Sequence, residues 1–78
     1  MLYRQSKWSD VWLAIAETPV NSSRGFPFPK ADASRLMWRI YQRSTGIGFH
    51  FRRDPEFGLI EVDRERLVDH DVVWVKRR

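Results

Sequence analysis

A chain of 78 residues that contains no cysteine must hold its fold by burying apolar side chains, because neither a disulfide nor a thiolate metal site is there to staple it. At this length the ratio of surface to volume supports one core, so residues 1–78 read as a single domain. Five Phe, four Trp and two Tyr supply much of the bulk such a core needs. A hydrophobic share of 42% against 31% charged residues is too apolar for intrinsic disorder. The missing cysteines suit a reducing compartment, so a cytoplasmic location is expected. The opening Met-Leu-Tyr-Arg-Gln-Ser-Lys lacks the apolar centre of a signal peptide, and no apolar run approaches the ~20 residues that span a bilayer. A membrane is therefore not an expected partner.

Periodicity predicts two helices. Over residues 8–17, a helical projection gathers Trp8, Val11, Trp12 and Ile15 on one side and puts Asp10 and Glu17 opposite; period-two alternation would group Glu17 with Val11, Leu13 and Ile15. Ser9 or Asp10 is the expected cap, and Pro19 forbids continuation. Residues 31–44 form the second helix, with Ala33, Leu36, Met37 and Ile40 turned inward and Tyr41 at the edge of that face. Pro29 precedes it, Asp32 is placed to cap it, and Gly46 stands where a C-terminal glycine belongs.

Between the helices, Pro19–Pro29 reads as an internal loop whose Gly-Phe-Pro-Phe-Pro end, residues 25–29, suits an edge strand, since proline cannot donate to a ladder. Ile47–Arg53 alternates as one half-buried strand, with Ile47, Phe49 and Phe51 on one face and Gly48, His50 and Arg52 on the other. An Asp-Pro-Glu-Phe turn leads into Gly58–Asp63. With Ile60 and Val62 inward, parity pairs Phe51 with Ile60 and His50 with Glu61 in a hairpin. Val72–Val75 is an optional last strand that pairs with the sheet or with Leu2-Tyr3-Arg4. The expected fold is α+β: a small antiparallel sheet, a hairpin plus one or two edge strands, with two helices packed on one face.

The net charge of +4 is unevenly distributed. Residues 1–53 carry nine Lys/Arg against three acids, residues 54–71 seven acids against two Arg, and Lys76, Arg77 and Arg78 close the chain. Such segregation favours a polyanion on one side of the molecule. Arg35, Arg39 and Arg43 recur every four residues as a ridge on the outer side of the second helix, able to track phosphates or engage carboxylates, or to serve only as a solvated face. Trp38 lies beside them, off the core direction. It is either a stacking anchor for a base or a protein partner, or a ring that packs under the Pro19–Pro29 loop. His50, Arg52 and Arg53 on the outer strand face extend the basic surface or form cross-strand pairs with Glu61 and Asp63. The candidate partner-binding set is thus Arg35, Trp38, Arg39, Arg43, Arg52 and Arg53.

The inventory for catalysis is poor. Asp69-His70-Asp71 juxtaposes the right residue types, but neighbours in sequence point apart unless a loop bends them together. Ser22, Ser23, Ser44 and Thr45 lack a histidine and an acid at motif spacing, and Gly46-Ile47-Gly48 is followed by Phe51 where a dinucleotide fingerprint needs glycine. No catalytic residue, cofactor, metal or small-molecule substrate is expected.

Taken together, Trp8, Pro19, the Gly25–Pro29 run, Ala33, Leu36, Ile40, Gly46–Arg53 and Gly58–Arg64 resemble in spacing and residue class a pattern among small phage and mobile-element accessory proteins: helix, proline-ended segment, helix, hairpin. The resemblance covers about residues 8–64, and the chain departs from it after Leu67. It implies a stoichiometric accessory protein acting on nucleic acid or on host machinery that handles it; anti-CRISPR inhibitors of bacterial defence are similar in size and often non-enzymatic. Two expectations follow. One is a basic module that docks its Arg/Trp surface on nucleic acid or a nucleic-acid-handling protein. The other is a stoichiometric inhibitor that occludes a host protein.

Overall fold

The computed structural model describes residues 8–78. In chain order they form α1 (Ser9–Glu17), β1 (Ser23–Phe28), α2 (Lys30–Arg43), β2 (Thr45–Gly48), β3 (Phe51–Asp54), β4 (Gly58–Arg66) and β5 (Asp71–Arg77). The strands make one antiparallel sheet in the order β1-β5-β4-β3-β2. Both helices bury their apolar sides against one of its faces, so the fold is α+β as the periodicity predicts.

Each helix faces the core as expected. Val11 and Ile15 of α1 and Ala33, Leu36 and Ile40 of α2 are buried, and Met37 and Trp12 pack at the margin. Against them lie Phe26, Ile60, Val62, Val73 and Val75, one side of β1, β4 and β5. Each such Val, Ile or Phe side chain contributes roughly 1.5–3 kcal/mol on burial. The ends of the helices depart from expectation. Neither has a side-chain cap: Trp8 precedes α1 and Pro29 precedes α2. Asp32, in the first turn of α2, instead takes a contact from Arg35 at 3.1 Å. Gly46 lies inside β2, and α2 ends at Ser44, which is extended.

Strand β5 is not optional. It pairs with β1 from Ser23↔Lys76 to Phe28↔Asp71 and with β4 from Ile60↔Arg77 to Arg66↔Asp71, which places it inside the sheet. The Leu2-Tyr3-Arg4 segment considered as its partner lies outside the described residues. Proline-containing β1 is an edge strand. The end of β5 also fastens α1: the Arg77 guanidinium donates to the carbonyls of Ala16 at 3.0 Å and Thr18 at 3.1 Å, close to the negative end of that helix.

The Ile47–Arg53 strand is corrected. The chain reverses at Phe49-His50, splitting it into β2 and β3. Phe51 then pairs with Glu61 and Arg52 with Ile60, one position from the expected register. A shift of one exchanges the two faces of a strand. Arg52 turns to the helix side, while Phe49 is 98% and Ile47 49% exposed. The apolar residue that this part of the chain does bury is Phe57, in the turn after β3. Asp54 forms that turn by accepting the Glu56 N–H at 2.8 Å and the Phe57 N–H at 3.0 Å. Gly58 closes it at φ 77°, a left-handed conformation that favours glycine.

Candidate ligand cleft between the helices

The outer valley between α1 and α2 holds a concavity of about 340 Å³ lined by Trp12, Trp38, Arg39, Gln42 and Arg43. Its composition follows from the helical repeat. In α2, Leu36 and Ile40 take the core side, so Trp38 and Gln42, four residues apart, fall together on a side that the sheet does not cover. Trp38 is 60% exposed, which removes the alternative that it packs under the Pro19–Pro29 segment. Trp12 comes from α1 and forms the opposite wall.

The cleft has one rigid wall. Arg43 sends Nε to Asp54 at 2.8 Å and Nη2 to Asp54 at 3.3 Å and to Glu56 at 2.9 Å. Held in this way, its guanidinium lies 4.5 Å from the Trp12 ring centre and 4.7 Å from that of Phe57. Cation–π stacking over two rings and a two-point carboxylate pair act on the same planar group. Arg43 therefore joins α2, the β3–β4 turn and Trp12. Two carboxylates offset its charge toward any incoming anion.

The predicted ridge is thus divided. Arg35 is 69% exposed at its side chain and, among the described residues, paired with Asp32 one turn away, an exposed contact worth about 0–1 kcal/mol. Arg39 is exposed, with its guanidinium 5.8 Å from the Trp8 ring centre, and forms no ion pair with an acid among the described residues. Arg43 is scaffold. So is Arg52, 4.0 Å above the Tyr41 ring and donating to the Ser44 hydroxyl at 2.7 Å and the Ser44 carbonyl at 3.0 Å. The cross-strand pairing of Arg52 with Glu61 or Asp63 does not form, because Arg52 is on the other side of the sheet; Arg78 reaches Glu61 instead, at 3.4 Å. Arg53 is exposed on the open face of the sheet, opposite Leu59 and Thr45 and away from the cleft. Of the six candidate residues, the structure gathers Trp38, Arg39 and Arg43 around one concavity. The candidate set omits Trp12 and Gln42, which also line the cleft; the helical wheel does put Gln42 beside Trp38, one turn on, whereas Trp12 required knowledge of how α1 lies beside α2.

Elsewhere, Asp69 and His70 form an exposed contact of 2.7 Å, and the His70 hydrogen bond holds the Asp69 carboxyl below the usual carboxylate range. Asp71 turns the opposite way, into the protein, so the three residues do not converge. Among the described residues no group of three or more His, Cys, Asp or Glu is placed to hold a metal ion, and no helix is long and apolar enough to cross a membrane. Compared with known protein families, with characterised proteins and with solved structures, the chain matches none.

Proposed function

We propose that this protein is a non-enzymatic, cytoplasmic binding module that docks the outer surface of α2 onto nucleic acid. The observation that carries the reading is Trp38, 60% exposed on a concavity that also offers the Arg39 guanidinium and the Gln42 amide. A large ring left in solvent at the lip of a concavity, beside a cation and an amide, is surface suited to a ligand. An aromatic platform beside a cation and an amide matches the three parts of a nucleotide: base face, phosphate and base edge. The overall charge of +4 supports approach to a polyanion without the dense basicity of a histone-like protein.

The test is a binding titration of the whole chain with labelled DNA and RNA at several salt concentrations. Affinity should fall as salt rises, and Arg39→Ala should weaken it. Absence of binding at ~50 mM salt would sink the reading. A second reading, occlusion of a host protein, draws on Phe49 and Val68, 98% and 97% exposed in the β2–β3 and β4–β5 connections. It expects a nuclease-resistant complex of defined stoichiometry that Phe49→Ser weakens and Arg39→Ala spares.

A further inference from the structure

Resting on the nucleic-acid reading, we infer that the cleft takes an unpaired base, so that the ligand is single-stranded nucleic acid and not duplex. The cleft has few cations left to meet phosphate: of its lining residues only Arg39 and Arg43 are charged. A duplex is held without sequence preference chiefly by phosphate contacts, and affinities that depend on salt in the usual steep way need roughly 6–10 of them. On α2, Arg43 is committed to Asp54 and Glu56, and Arg35 is shared with Asp32. Arg39 is the one cleft cation without an acid partner among the described residues. Around the cleft, phosphate contacts alone are too few to hold a double helix; Arg24, Arg53 and Arg66 are exposed as well but do not line it.

What the cleft does offer is aromatic surface. Trp38 presents its ring to solvent, Trp12 and the guanidinium lying over it make the facing wall, and the volume of about 340 Å³ suits one nucleotide rather than a helix edge. Stacking on tryptophan needs the flat face of a base. In a duplex that face is covered by the next base pair, and uncovering it costs a few kcal/mol. In a single strand it is already available. The rigidity of the Arg43 wall matters as well, since a platform fixed before the ligand arrives loses little freedom on binding. Gln42 can hydrogen-bond a base edge, and Arg39 can reach the adjoining phosphate.

The test uses fluorescence anisotropy with labelled single strands of about 12 nucleotides, as DNA and as RNA, and the same sequences annealed to their complements. The wild-type chain should prefer single strands over duplex by tenfold or more. Trp38→Ala should weaken single-strand binding by about tenfold or more and Trp38→Phe by much less, while both keep the wild-type melting temperature within a few degrees. The salt slope should be shallow, between roughly −0.7 and −1.5 in log–log form, as one or two phosphate contacts give. Equal affinity for duplex and single strand overturns the inference and leaves the broader reading standing; a Trp38→Ala variant that binds as well as wild type overturns the inference, and the broader reading then stands only if Arg39→Ala weakens binding. No affinity for any of the four ligands removes both.

Discussion

Lys30, the first residue of α2, places its ammonium 2.7 Å from a carboxylate oxygen of Asp71, the first residue of β5, forty-one positions away in sequence. The second oxygen of Asp71 accepts from Arg64 of β4 at 2.7–2.9 Å, and Arg64 also donates to the Ser34 hydroxyl at 2.9 Å. Lys30 further donates to the Leu67 carbonyl. One buried carboxylate thus joins the start of α2 to the β4–β5 hairpin. A buried charge is tolerated because both its oxygens meet cations.

The Lys30 hydrogen bond, ahead of that from Arg64, lowers the Asp71 carboxyl from the ordinary 3.8 to about 2. A group whose folded pKa is depressed stabilises the fold fully above its unfolded value and loses that contribution as pH falls through the folded one. Urea midpoints should therefore drop between about pH 4 and about pH 2, and the gap between wild type and Asp71→Asn should shrink over the same window. A gap that stays constant with pH would show that the carboxylate charge contributes nothing.

Removing Arg43 leaves Asp54 buried without its cation and uncovers the Trp12 and Phe57 rings. Arg43→Ala should cost about 3 kcal/mol in chemical denaturation, within the range for breaking a buried pair. Arg43→Lys should recover less than half of that, because an ammonium cannot both lie flat on two rings and engage a carboxylate at two points. Full recovery by lysine would mean that charge alone matters at this position.

Gly25 is opposite Trp74 in the β1–β5 ladder, and a Cβ there would sit 2.8 Å from the Trp74 ring, too close for any side chain. The ring is held over the glycine by a 3.0 Å hydrogen bond from its Nε1 to Glu65. Gly25→Ala should therefore destabilise by about 1–3 kcal/mol, as overpacking does, and Trp74→Leu in the same chain should relieve most of it. Strict additivity of the two changes would place the clash elsewhere.

Phe49 and Phe57 lie eight residues apart, one exposed and one buried, and should respond very differently to truncation. Phe57→Ala empties a site in the core and should cost about 3–5 kcal/mol. Phe49→Ala removes a ring that stands in solvent and should change stability by less than about 0.5 kcal/mol. A large loss at Phe49 would restore the single strand that alternation alone suggests for residues 47–53.

The two helices, their inward residues, the Asp54–Phe57 turn and the edge position of the proline strand were legible in the sequence, because each depends on neighbours within about one turn of helix or one strand. Leu36 and Ile40 are inward for the same reason that Trp38 is outward: the helical repeat leaves no other placement. The register of Phe51, the burial of β5 inside the sheet and the fate of the arginines were decided by tertiary structure. Alternation puts Phe49 and Phe51 on one face of a continuous strand and holds no sign that the chain turns between them, and both registers of β3 satisfy the same local pattern. Arg43 is eleven positions from Asp54, and Arg77 is sixty-one from Ala16. Whether a guanidinium meets a ligand or its own protein's oxygens depends on which distant segments the fold brings within about 3 Å of it, and periodicity holds no record of that distance.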